Sequence, residues 1–164
     1  MIWINIFLFY SILGNFFERM LVYIRHIDYV SGFMGTIFTP VYGIAMIFIV
    51  LIHDKLKINN KFIKCIVEFL IYAILLSILE LIGGVLIETI FNKIFWNYDR
   101  LKYNIGKYIS LETALFWGVL SIIAIYLIHP IFKKLESHIP KVVSIIFSIG
   151  FIINLIIVLV VKLT

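Results

Sequence analysis

An all-α, polytopic membrane helical bundle of about five transmembrane helices is the fold class the sequence predicts, built as two tandem two-helix repeats plus a C-terminal helix. Three observations predict it. The 164 residues are 63% hydrophobic and 14% charged, with a mean hydropathy of +1.14, which is the composition of an integral membrane protein rather than a soluble domain. The apolar residues fall in runs separated by short Lys-bearing links. Two of those runs also carry one pattern at one offset, Gly14 with Glu18 and Gly84 with Glu88, 70 residues apart. The expected organisation is a single integral membrane domain over 1–164, with repeat units 3–52 and 62–132 and an extra helix at 140–162.

The first apolar run, Trp3 to Ile24, lacks a basic start and a small-residue cleavage site and reads as a retained spanning helix rather than a signal peptide. Ser11, Gly14 and Glu18 recur along it at helical spacing and form a small, polar stripe. The link from Arg25 to Gly35 contains His26 and Asp28, which read as a solvated loop rather than a metal or acid/base pair. In the run Ile37 to Ile52, Pro40 suits a first helical turn and Thr39 a cap. At about 16 residues this run is a little short for a span, so either it extends back to Met34 or the helix sits deep within the bundle.

Lys55, Lys57, Lys61 and Lys64 crowd the next link, which the positive-inside rule places in the cytosol. The long helix Lys61 to Phe91 comes next. An intramembrane carboxylate costs roughly 2.5–3.5 kcal/mol on insertion scales, so acids here are kept for a partner, a pathway or a fold-specific contact. Glu80, Gly84 and Glu88 share a stripe with Ser77. Glu68 falls in the early turns and is expected near the headgroups, which leaves Glu80 as the stronger candidate. The segment from Asn92 to Ser110, with Trp96, Tyr98, Tyr103 and Tyr108, reads as interfacial, and covering a cavity is its second use. Ser110 and Glu112 suit the start of a helix running to Phe132, with the His129–Pro130 pair marking its end. Lys133, Lys134 and Lys141 form a second basic link before the last helix.

The candidate transport residues are Glu80, Glu88 and Glu18, lining a polar cleft. Gly14, Gly84 and Ser77 are the candidate helix-packing positions, because small residues admit a close neighbour. If the repeat is real, Glu18 and Glu88 are pseudo-symmetric, and the two units are related by an axis near the membrane normal. The links through Gly35 and Gly106 and the pairs Tyr42-Gly43 and Trp117-Gly118 extend the correspondence.

The net charge of +5 sits in short links, where it carries topology information rather than forming a nucleic-acid patch. Cys65 is the one cysteine, so neither an internal disulfide nor a Cys/His metal framework is expected. The sequence has no G-x-x-x-x-G-K-[ST] motif and should not bind ATP in the Walker manner. No catalytic nucleophile, metal set or cofactor site is expected, and an intramembrane enzyme trails the other readings.

The order "YSILG…E", "TPVYG", "LE…GGVLIE", "FWNYD", "NIGKYISLE", "FWG" and "IHP" over about residues 7–135 resembles the small bacterial membrane proteins of the putative ABC-transporter type IV, or CmpB-like, family. In that family a Gly-Trp pair commonly precedes the first acid, where this chain has Asn15 after Gly14. The family's Gly-Pro and Cys before the Pro-x-Tyr-Gly turn are absent around Thr36 and Phe38, and Asn97 replaces an Asp. The resemblance implies a permease-like subunit of an ABC transport system, whose ATP drive would come from a separate ATPase subunit; membrane lipid and a second copy of the chain are further expected partners, in the bacterial cytoplasmic membrane. The alternative is a structural or regulatory membrane protein whose intramembrane acids recognise helices or partners. Water access to Glu80 separates the two.

Overall fold

The computed structural model of the chain describes residues 1–25 and 36–163. His26, Asp28 and Gly35 lie outside the described residues. Helix α1 spans Ile2–Arg25, α2 Pro40–Lys55 and α3 Lys61–Phe91. After them a short hairpin pairs β1 (Asn104–Ile105) antiparallel to β2 (Ile109–Ser110). Then come α4 (Leu111–Ile123), a π-helical turn over Ala124–Ile128, α5 (His129–Glu136) and α6 (Lys141–Leu163).

The helix boundaries have local causes. Pro40 opens α2, where its missing N–H is one no intrahelical partner would have received. Residues 36–39 are not helical, so α2 keeps its 16 residues. Thr39 turns its hydroxyl to Asn15 and Glu18 rather than to the helix end. Asn60 caps α3 by accepting from Phe62 N at 3.0 Å and Ile63 N at 3.1 Å. The same helix ends where Asn92 takes a left-handed φ of 49°. Ser110 caps α4 through Thr113 N at 3.1 Å, with Glu112 in the first turn.

One boundary departs from expectation. His129 and Pro130 do not end a helix: α5 continues through them to Glu136. Proline lacks an N–H and clashes with the carbonyl four residues earlier in a regular α-helix. Here His129 N bonds to Ala124 O across the wider π turn, and Pro130 falls in the first turn beyond it, so the helix passes the proline.

Among the described residues three helical stretches are long and apolar enough to cross a membrane: Lys61–Phe91, Leu111–Glu136 and Lys141–Val160. Their sidedness is inverted relative to a soluble protein. The buried stripe of α3 holds Glu68, Ser77, Glu80 and Gly84 beside Tyr72, Ala73 and Leu76, while Ile66, Leu70, Ile74, Ile78, Ile82 and Leu86 are exposed. Helix α6 exposes Ile145, Ile149, Ile153, Ile156 and Ile157. Acids inside and aliphatic chains outside suit a solvent of lipid tails.

The chain divides into two compact units, Met1–Ile47 with Lys133–Thr164, and Phe48–Phe132. In the first, Phe7 and Phe38 meet the Phe151 ring edge-on at 5.0 and 5.3 Å, which ties α1 to α6. Asn5 Nδ2 adds a hydrogen bond to Glu136 Oε1 at 2.9 Å. In the second unit α3 packs along α4, with Gly118 backed against the Phe69 ring.

Candidate functional site

The segment between α3 and α4 folds back over α3 and delivers donors to its acids. Its shape comes from a few local bonds. Asn97 Oδ1 accepts from Asp99 N at 2.8 Å, a side-chain-made turn. Gly106 takes a φ of 63° at the hairpin bend, a conformation open to glycine without strain. Tyr98 N donates to Lys107 O at 2.8 Å, which holds Tyr98 beside Lys107 and Tyr108. From there Tyr98 OH donates to Glu80 Oε1 at 2.6 Å, Tyr108 OH donates to Glu88 Oε2 at 2.7 Å, and Lys107 Nζ reaches Glu88 Oε1 at 2.7 Å.

Glu80 and Glu88 therefore lie under one cover, in different surroundings. Glu88 is partly exposed and paired with a cation. Glu80 is 8% exposed. The Trp117 indole also bears on its carboxylate as a donor, but Oε2 has no partner within hydrogen-bonding geometry. Trp96 sits over Gly83, its ring 3.6 Å from where a Cβ would stand, and meets Tyr108 edge-on at 5.9 Å. Burial and the adjoining Glu88 carboxylate push the Tyr108 hydroxyl up to about 12, so it remains a proton donor at any physiological pH.

Each candidate packing glycine is covered by an aromatic ring of its own unit. The Tyr108 ring occupies the space beside Gly84, and the Tyr42 ring the space beside Gly14. Ser77 returns its hydroxyl to Ala73 O at 2.8 Å. The local pattern is shared by the two units: a ring over the glycine, and a hydroxyl from the approach to the next helix on the acid four residues later. For Glu18 that hydroxyl is Thr39 Oγ1 at 3.5 Å. Asn15 donates to Thr36 O at 3.2 Å and Thr39 Oγ1 at 3.3 Å, and accepts from Arg19 Nε at 2.9 Å. Asn15 and Thr36 thus touch each other.

Glu68 is the acid that the sequence reading undervalues. It is fully buried, with His53 Nδ1 2.8 Å from Oε1 and Tyr126 OH donating to Oε2 at 2.7 Å. Lys64 Nζ lies 3.7 Å from Oε1 and donates to His53 O at 3.0 Å. Tyr72 OH donates to Ile49 O at 3.3 Å. Position early in α3 does not expose Glu68, because the last turn of α2 and the π turn both close over it. The signal was present in Lys64, one helical turn before Glu68, and in His53 at the end of the preceding run.

Among the described residues no group of three or more His, Cys, Asp or Glu is placed to hold a metal ion. In the first unit, Trp3, Phe7 and Phe151 help line an apolar pocket of ≈ 410 Å³ that offers little polar chemistry.

No curated protein and no solved structure matches the chain. A family profile does, over residues 5–163; it therefore takes in α6 as well, beyond the 7–135 that the sequence motifs cover. On that match the chain belongs to the family described as putative ABC-transporter type IV.

Proposed function

We propose that the chain is a multi-pass, permease-like subunit of an ABC-type transport system in the bacterial cytoplasmic membrane, driven by an ATPase that is a separate polypeptide. Family membership supports the class. The sequence carries no Walker motif, which fits a reading in which ATP is bound by a separate polypeptide. One observation carries the reading. Glu80 and Glu88 on α3 take hydrogen bonds from a connecting segment outside the spanning helix, which in this reading is a cover over the polar face. In this reading there are five spans with the N-terminus inside, α1 and α2 completing the set. The links at 55–64 and 133–141 are then cytosolic and the cover lies outside.

Purification of the native chain in mild detergent tests the class. An ATPase should copurify. A chain that purifies without one, with Glu80→Gln at normal abundance retaining whatever activity its deletion removes, would discard the transport reading.

A second reading is a structural or regulatory membrane protein whose acids hold helices together. Glu68 favours it, since both its oxygens are partnered from within the chain. Water access decides. A Glu80→Cys variant that reacts with a small methanethiosulfonate supports a pathway, and an inert one supports the structural role.

A further inference from the structure

We propose that a groove on the first unit, between α1 and α6, takes an acyl chain of an anionic phospholipid, with the lysines of the 133–141 link holding the lipid's phosphate. The inference goes beyond the transport reading and stands equally under the structural one, since it needs only a membrane around the chain.

The groove encloses ≈ 410 Å³, within the ~300–1,000 Å³ of small-ligand sites. Its rim is formed by Trp3, Ile4 and Ile152, which are 43, 45 and 53% exposed, and buried Leu8 lies deeper. It therefore opens sideways, onto the aliphatic surface that α6 turns to lipid. The Phe151 ring also lines it, and is braced edge-on by Phe7 and Phe38 at 5.0 and 5.3 Å, so it does not swing in to fill the space. Ser148 offers only a short side chain, its hydroxyl donated to Ser144 O at 2.7 Å. Empty apolar space forfeits dispersion contacts and does not hold water. A hydrocarbon chain fills it without desolvating any polar group.

Charge selects the lipid. Asn5 Nδ2 donates to Glu136 Oε1 at 2.9 Å, which ties the link after α5 to the end of α1 that bears the groove. That link sets Lys133, Lys134 and Lys141 against one acid, Glu136. All three lysines are exposed, and among the described residues none of them is in an ion pair. Lys141 precedes Ser148 by seven residues, about 10 Å along a helix, which sets it at headgroup level when Ser148 lies among the upper carbons of the chains. Trp3 at the rim is a side chain of the kind that settles at that boundary. A zwitterionic lipid gains the groove but not the charge, and a helix of a second copy brings no phosphate for the lysines.

The experiment uses the full chain in lauryl maltoside micelles at low ionic strength. Phosphatidylglycerol brominated on its acyl chains is titrated in, with phosphatidylcholine brominated in the same way as the comparison. Bromine quenches an indole it touches, and subtracting the same titration of Trp3→Phe isolates the signal of Trp3. Saturable quenching is expected, at a several-fold lower mole fraction of phosphatidylglycerol than of phosphatidylcholine. Lys134→Gln and Lys141→Gln should each weaken phosphatidylglycerol binding by roughly threefold to fivefold, and Lys57→Gln, in the other basic link, should leave it unchanged. Ser148→Phe fills the groove and should abolish the quenching; the lysine variants decide the matter should Ser148→Phe not fold. Absence of saturable quenching, equal affinity for the two lipids, or unchanged binding by both lysine variants overturns the proposal. So does a folded Ser148→Phe that still binds, and one that changes the oligomeric mass while it binds marks the groove as a seam between copies instead.

Discussion

At the scale of single residues, neighbouring glycines in α3 make opposite demands on their surroundings. A Cβ on Gly84 would stand 2.5 Å from Tyr108 Cδ1, whereas one on Gly83 would stand 3.6 Å from Trp96. The first is overlap and the second ordinary contact, so the ring over Gly84 must move and give up its bond to Glu88. Overpacking of this kind costs about 1–3 kcal/mol. Gly84→Ala should lower the thermal midpoint in detergent while Gly83→Ala leaves it near the parent value. Equal midpoints would mean that Tyr108 is free to leave its place.

Glu68 makes a second case. A hydrogen bond to a charged group is worth about 1.5–3 kcal/mol, and its loss inside a protein leaves the acceptor uncompensated. Tyr126→Phe removes one donor and should destabilise by that amount, read as a lower midpoint in a size-exclusion thermal assay. An unchanged midpoint would show that Oε2 finds another partner. Glu80 and Glu88 could be read from the sequence because they interrupt an aliphatic run. Glu68 was signalled only by Lys64 and His53, and its burial depends besides on Tyr126, so that α2 and the π turn bring its partners in from 15 and 58 residues away.

At the scale of elements, the π turn and the cover do most of the positioning. The turn carries Tyr126 to Glu68 and lets the helix pass Pro130. One residue more or less on a helix rotates the downstream side chains by about 100°, since a turn holds 3.6 residues. Deleting Ala124 should therefore swing Tyr126 off Glu68 and press Pro130 against a regular α-helix. The thermal midpoint of that variant should fall below that of Tyr126→Phe. A milder effect than Tyr126→Phe would show that the turn can be dispensed with. Sequence periodicity marked the His129–Pro130 boundary but not its solution, because a π turn has no composition of its own. The cover was legible only as aromatic and polar. Its docking on α3 depends on the Tyr98 N to Lys107 O bond, a backbone pairing across nine residues that side-chain pattern does not encode.

At the scale of the molecule, the inverted sidedness was written in the composition, since residues that are 63% hydrophobic cannot all be buried in 164 residues and those outside must meet lipid. Orientation is harder, because the basic residues are nearly balanced between the two sides of the proposed five-span arrangement. Lys55, Lys57, Lys61 and Lys64 are packed into one short link and Lys133, Lys134 and Lys141 into another, while Lys93, Arg100, Lys102 and Lys107 are spread along the cover. Charge in short links sets topology most strongly, and Lys107 is moreover paired with Glu88, so the concentrated set should be cytosolic. The test is labelling with a membrane-impermeant maleimide in intact cells, with Cys65→Ser as background. Asn59→Cys should be protected until the membrane is opened. Ile105→Cys, at the exposed hairpin where the native side chain is 73% accessible, should label at once. Labelling of Asn59→Cys in intact cells with protection of Ile105→Cys would reverse the orientation, and with it the side of the membrane on which the cover lies.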